Sequence, residues 1–154
     1  MAKKNPSVIN AAVTDALRGV LADTYVLGVK YHGYHWNVTG PLFPQLHDFF
    51  GKQYLAAFAA ADEVAERIRA LGAVAPGGMA QFLAQTTIAE AAAKPPAAKH
   101  MVADLVKSHK LAVIGIDKAI AIADDRDDDV TEDQMIQFRA EHDKTVWMLK
   151  SMLE

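Results

Sequence analysis

No cysteine occurs in the 154 residues. Disulfides and thiolate metal sites are thereby excluded, and any metal must be held by His, Asp or Glu. Neither charge sign dominates: 16 Lys and Arg stand against 19 Asp and Glu, for a formal net charge of −3 and a pI near 6.0. Such a balance offers no general attraction to nucleic acid or to an anionic membrane. No apolar run reaches the roughly 18 residues that a membrane span needs. The opening MAKKNPSVIN has two lysines but no apolar stretch behind them, so it does not read as a secretory signal and a cytoplasmic location is expected. Strand-like alternation and internal repeats are also missing.

What is present is an alanine-inflated hydrophobic fraction of 51% with 23% charged residues. That is the composition of a soluble globular domain with a bias toward helix. Residues 1–7 read as a short polar tail, and residues 8–154 as one domain. From Val8 to about Val38, apolar residues recur at helical spacing (Val13, Leu17, Val20, Leu27, Tyr31, Tyr34) until Thr39-Gly40-Pro41 stops the pattern. A second helix is expected from Pro41–Phe43 to Leu71, with Pro44 tolerated in its first turn, and Gly72 and APGG (75–78) end it. Before KPP (94–96), Thr87 with Glu90 forms a capping-box pattern, which predicts one or two helical turns. A third long helix spans about Ala97 to Ala123 through Met101, Leu105, Leu111, Ile116 and Ile120. The acidic run DDRDDD (124–129) breaks it, and a second capping box, Thr131 with Gln134, opens a fourth. That helix carries Met135, Phe138, His142, Val146, Leu149 and Met152 on one face, and Trp147 reads as core. The expected architecture is an all-α four-helix bundle with a short extra helix between the second and third long helices.

The stretch HWNVTGPLFPQLHDFFG, residues 35–51, sets one imidazole before the turn and one after it. Each lies five or six residues from the break, so an antiparallel hairpin brings His35 and His47 level. Two imidazoles so placed suit a transition metal. In DEVAERIRALG, Asp62 and Glu66 stand four apart on one helix face, among alanines that predict little contact with water. His47 and Asp62, however, are fifteen residues apart on one helix. At about 1.5 Å per residue that is roughly 22 Å, too far for a shared metal within one chain. No Glu is followed by His three residues later, so the ligand pattern of an intrachain di-iron bundle is missing. Two copies of the second helix crossing antiparallel near Leu55 and Ala56, within the small-residue run LAAFAAA, would bring His47 of one chain level with Asp62 to Glu66 of the other.

HWNVTGPLFPQLH and DEVAERIRALG closely resemble the two signature segments of Dps, the DNA-binding protein from starved cells, a ferritin-like mini-ferritin family. The helix plan matches over nearly the whole chain. The resemblance implies a ferritin-like bundle that assembles into a hollow dodecamer. Ferroxidase centres at its two-fold interfaces oxidise Fe(II), typically with hydrogen peroxide, and ferric mineral is stored inside, which protects against oxidative stress. The family's ligands fall on His35, His47, Asp62 and Glu66, and the tryptophan beside its first histidine falls on Trp36. One position departs. The family carries Asp or Glu four residues after the second histidine, where this chain has Gly51. The implication is one strong iron site, His35 with Asp62 and Glu66, and one weaker site at His47 completed by water. Asp48, about 100° round the helix from His47, is a poor substitute.

His32, three residues before His35, is an auxiliary ligand or a structural histidine. His100, His109 and His142 show no mutual ligand spacing. DDRDDDVTED is either a solvated loop or, as the family implies, the acidic lining of a three-fold pore formed by Asp128, Asp129 and Asp133. Only Lys3 and Lys4 precede the first helix, so DNA binding is expected to be weak and salt-sensitive. The rival to an iron-storing ferroxidase is a DNA-compacting or structural cage whose oxidase is impaired by Gly51.

Overall fold

The computed structural model describes residues 6–154, with side chains from residue 11 onward. Lys3 and Lys4, expected in the polar tail, lie outside the described residues. The described chain is all-helical: α1 (Pro6–Asn37), α2 (Phe43–Ala70), α3 (Met79–Gln85), α4 (Ala98–Asp125) and α5 (Asp129–Ser151). Helix α1 packs on α2, α4 packs on α5, and α1 joins the two hairpins through its contacts with α4 and α3. This is the four-helix bundle with one short intervening helix that the periodicity predicts. Between α2 and α5 the packing opens into a cavity of about 410 Å³.

Local chemistry explains the breaks. Gly40 takes φ +101°, which a side chain would resist, and lets the chain reverse after α1. Phe43 and Pro44 then begin α2, where a missing amide N–H costs nothing. Gly72, at φ +87°, ends α2 while Ala73 N–H donates to the Ile68 carbonyl at 3.2 Å. The expected apolar faces close into one core: Val13, Leu17, Val20, Leu27, Tyr31 and Tyr34 of α1 are all buried, as are Phe50, Ile68, Met101, Leu105, Ile116, Met135 and Leu149.

Both capping boxes are corrected. The short helix lies at Met79–Gln85, not at Thr87. It starts where the Gln81 side-chain oxygen accepts from the N–H groups of Gly77 and Gly78, at 3.1 and 3.0 Å. Thr87 is taken by a distant partner. Its N–H and its hydroxyl donate to the buried carboxylate of Asp23 at 2.6 and 2.9 Å, and the Thr86 hydroxyl donates there at 2.7 Å. Helix α5 begins at Asp129 with Asp128 as its N-cap, so Thr131 lies inside the helix. Asp128 accepts from Thr131 N–H at 3.1 Å and from the Arg67 guanidinium at 2.6 Å, which ties the end of α2 to the start of α5. Trp147 is not core; it is 66% exposed.

Asp23 is therefore the anchor of the segment that crosses between the hairpins. Asp23→Ala leaves both Thr87 donors without an acceptor and the Thr86 hydroxyl with only a long bond to the Ile88 carbonyl, and is expected to cost about 3 kcal/mol, against about 1 kcal/mol for Thr87→Ala. Denaturant unfolding that finds the two equally mild would show that the carboxylate is not the anchor.

Candidate metal centre

The α1–α2 turn sets His35 and His47 face to face, with ring centroids 3.8 Å apart and planes 19° from parallel. Each imidazole is locked by the other's backbone. His35 Nδ1 donates to the His47 carbonyl at 2.7 Å, and His47 Nδ1 donates to the His35 carbonyl at 2.9 Å. A carbonyl oxygen only accepts, so both protons sit on Nδ1 and both Nε2 atoms keep their lone pairs. An N–H held by a carbonyl is the usual support of a metal-binding histidine, because it fixes the ring and makes the other nitrogen more basic.

Gly51 takes part in this arrangement. A β-carbon there would lie 3.2 Å from both Cε1 and Nδ1 of His35, a tight contact that the ring would have to relieve by a few tenths of an ångström. The missing side chain is the space in which His35 lies against α2. Rings extend the site on both sides. Phe43 stacks on His47 at 5.0 Å, and Tyr54 meets His35 edge-on at 5.4 Å. His32 lies between Tyr54 and Trp36, at 4.1 and 4.0 Å, and its centroid is 6.4 Å from that of His35. Trp36 is 65% exposed. Tyr54 was not singled out in the sequence; its position seven residues after His47, two helical turns on, is the signal that could have found it.

Asp62 and Glu66 stand elsewhere. Both are exposed, contrary to the dry surroundings that their alanine neighbours predict. They continue a stripe of exposed positions along one face of α2 that includes Leu55, Ala56, Ala59 and Glu63. Leu55, at its middle, is 61% exposed. Among the described residues, no three His, Asp or Glu side chains come together in a group that could hold a metal ion. At the other end of the bundle Asp129 and Asp133 are exposed, whereas Asp128 is committed to Arg67 and to the cap of α5.

A second histidine cluster escapes the sequence reading. His109 and His142 meet with Nδ1 atoms 2.9 Å apart, and His109 Nε2 lies 2.7 Å from the Tyr31 hydroxyl. Both histidines border the cavity between α2 and α5. Their separation of 33 residues carries no ligand spacing; only the α4–α5 register unites them. His100 stays exposed.

Comparison with known proteins assigns the family and the fold. The ferritin-like domain family matches residues 14–154. DNA protection during starvation protein 2 of Bacillus anthracis is 34% identical over 145 residues, 94% of this chain and 99% of that protein. The chain belongs to the Dps family of ferritin-like proteins. The crystal structure of a Dps protein from Bacillus brevis superposes with a TM-score of 0.92 at 35% identity, covering 96% of this chain and 98% of that one. A Dps protein from Vibrio cholerae, itself a member of a broad superfamily of ferritin-like diiron-carboxylate proteins, superposes with a TM-score of 0.92 at 26% identity, covering 100% and 99%. Among the described residues no helix is long and apolar enough to cross a membrane.

The second cluster makes stability depend on pH. Burial, reinforced by His142, pulls His109 down to about 3. Burial pulls His142 down to about 4, with Asp143 opposing the shift and Arg139 assisting it. Unfolding returns both toward an ordinary value of about 6.5. The unfolded chain thus binds more protons between those limits, and stability is lost as pH falls from about 6.5 toward 4. Thermal unfolding followed by circular dichroism should show the midpoint falling across that window. The His109→Met/His142→Met double variant should have a shallower slope whatever its stability at neutral pH. An unchanged slope would assign the acid sensitivity to other groups.

Proposed function

We propose that this chain is an iron-storage and detoxification protein of the cytoplasm. In this reading it oxidises Fe(II) with hydrogen peroxide at centres shared between two subunits and keeps the ferric product in a hollow dodecamer. One observation carries the reading. His35 and His47 are held as a pair with both Nε2 lone pairs free, while Asp62 and Glu66 stand exposed on a face of α2, roughly 22 and 28 Å along the helix from His47. A two-fold axis near Leu55 and Ala56 brings the partner's copy of that face over the histidines. The small side chains there permit close approach, and covering Leu55 adds apolar burial. Each dimer then has two equivalent centres.

At each centre the imidazoles and carboxylates bind Fe(II) as substrate, and the hard carboxylate oxygens favour the ferric product. Two Fe(II) ions give one electron each to one peroxide, whose O–O bond breaks. His35, Asp62 and Glu66 form the strong site. His47, without a carboxylate at position 51, forms the weaker one with water. Trp36 and His32 support the rings from outside the ligand set. Exposed Asp129 and Asp133 are suited to gather Fe(II) at a three-fold entrance, with Asp128 shaping the helix start behind them. DNA binding would be weak and lost with rising salt. The close approach of His35 to Gly51 supports a working centre over an impaired one, since the glycine makes room for a ligand.

The shared centre is tested by mixing variants. His35→Ala and Asp62→Ala should each abolish rapid oxidation in an anaerobic Fe(II) titration followed by peroxide. Co-assembled, they should recover part of it, because one centre of each mixed dimer carries neither lesion. Confirmed co-assembly without recovery would refute the sharing.

Position 51 is a separate test. Gly51→Ala adds helix propensity worth up to about 1 kcal/mol but pushes on His35. It should therefore raise or preserve the melting temperature while weakening the first iron bound, as read by calorimetric titration. Undiminished affinity would remove the spacing role from Gly51.

A further inference from the structure

The Tyr31–His109–His142 chain has only one self-consistent arrangement of protons. Tyr31 is 1% exposed, and its hydroxyl has a single hydrogen-bond partner among the described residues, His109 Nε2. If His109 donated, the phenolic hydrogen would be left buried with no acceptor, at a cost that native structures avoid. Tyr31 therefore donates to His109 Nε2, and the His109 proton must lie on Nδ1. That proton is given to His142 Nδ1, which leaves the His142 proton on Nε2, and His142 borders the cavity. Exposed Glu63, Glu141 and Lys144 form part of the same cavity wall, so it reaches the surface. Tyr31, His109 and His142 all border this cavity, and both bonds in the chain run from the buried phenol toward His142, the more exposed end.

We propose that Tyr31 is a redox-active residue that donates an electron to the iron-oxidising centre, and that His109 and His142 carry its proton out to the cavity. The inference rests on the ferroxidase reading above. Hydrogen peroxide accepts two electrons. A centre with one strong and one weak iron position reacts at times with a single Fe(II), which supplies only one. The unmet electron would otherwise leave a hydroxyl radical. Tyr31 lies one turn before His35 on α1, a rise of about 6 Å, and its ring lies 5.9 Å from that of Phe50, the neighbour of Gly51.

The step balances. Fe(II) loses one electron and becomes Fe(III). Tyr31 loses the other and becomes a neutral phenoxyl radical. The two electrons break the O–O bond of hydrogen peroxide and yield two hydroxide ions. The phenolic proton passes to His109 Nε2, the Nδ1 proton of His109 passes to His142 Nδ1, and the Nε2 proton of His142 passes to water in the cavity. Both hydrogen bonds of the chain reverse, and no side chain is left charged. A later Fe(II) reduces the radical, and a proton returns by the same path.

Burial favours this route twice over. It raises Tyr31 well above the ordinary phenol value, so the phenol keeps its proton and remains the donor to His109. It also keeps both histidines neutral, so His109 always has a lone pair to offer. Tyr34 lacks such an exit. It donates to Asp104 at 2.8 Å, but that carboxylate is paired with the buried ammonium of Lys30 at 2.9 Å, and a proton there would strand the lysine charge.

The assembled protein is loaded anaerobically with one Fe(II) per chain, mixed with hydrogen peroxide and frozen at intervals for electron paramagnetic resonance. Ferric iron is read in parallel, and hydroxyl radical is caught with a spin trap. The native protein should show a transient tyrosyl spectrum and little trapped hydroxyl radical. Tyr31→Phe should lose the spectrum and trap severalfold more hydroxyl radical while still forming ferric iron. His142→Leu, which keeps Tyr31 and His109 but removes the exit, should slow the appearance of the radical, and Tyr34→Phe should leave it intact. Ferric formation without a tyrosyl spectrum, or a spectrum that survives Tyr31→Phe, overturns the relay alone. No ferric iron in the native protein overturns the ferroxidase reading and the relay with it.

Discussion

Two hydrogen bonds across the α1–α2 turn govern the candidate centre. Each histidine gives its Nδ1 proton to the other's backbone carbonyl, so neither ring can turn without leaving a donor and an acceptor unpaired. The pairing demands that two residues twelve apart in sequence be level in space, which the Gly40–Pro41 turn provides. It also demands that the His35 ring reach the α2 backbone, which the absence of a side chain at Gly51 allows. Once those conditions hold, both free nitrogens are determined by elimination. Gly51 thus bears directly on where the His35 ring lies.

The same helix that carries His47 strands the carboxylates. Because α2 runs unbroken from Phe43 to Ala70, it holds Asp62 and Glu66 at a fixed distance from the imidazoles. A rigid rod of that length turns a ligand set into two half-sites. The exposed stripe from Leu55 to Glu66 is the surface through which a second copy would complete both at once. In the proposed reading, assembly is a condition of the chemistry, since ferrous ions would meet a full set of donors only where two chains cross.

Inside the bundle the polar groups are arranged on a different rule. The Asp23 carboxylate is surrounded by donors, Lys30 is paired with Asp104, and Tyr31, His109 and His142 form a chain of neutral groups. Charges are buried only with partners, and the unpaired histidines are kept uncharged, as a low-dielectric interior requires. That rule gives the phenol of Tyr31 a direction for its proton and makes the fold sensitive to acid.

Much of this was legible in the sequence for a definite reason. Helix limits follow local chemistry, and the Gly and Pro residues at 40–44 and 72–78 act within a few residues of their position. The level pairing of His35 and His47, and the distance from His47 to Asp62, follow from the pitch and rise of a helix, which no tertiary contact alters. Thr87 was misplaced because a distant carboxylate, Asp23, took its donors, and Thr131 because Asp128, three residues earlier and held by Arg67, is the cap instead. Trp147 was misplaced because periodicity gives a residue's angle on its own helix but not whether a neighbour covers it. The meeting of His109 with His142 and Tyr31, and the clearance of His35 over Gly51, were decided by the register between packed helices. Register is set by the fit of whole helix faces, a property of the packed pair that neither strip of sequence contains alone.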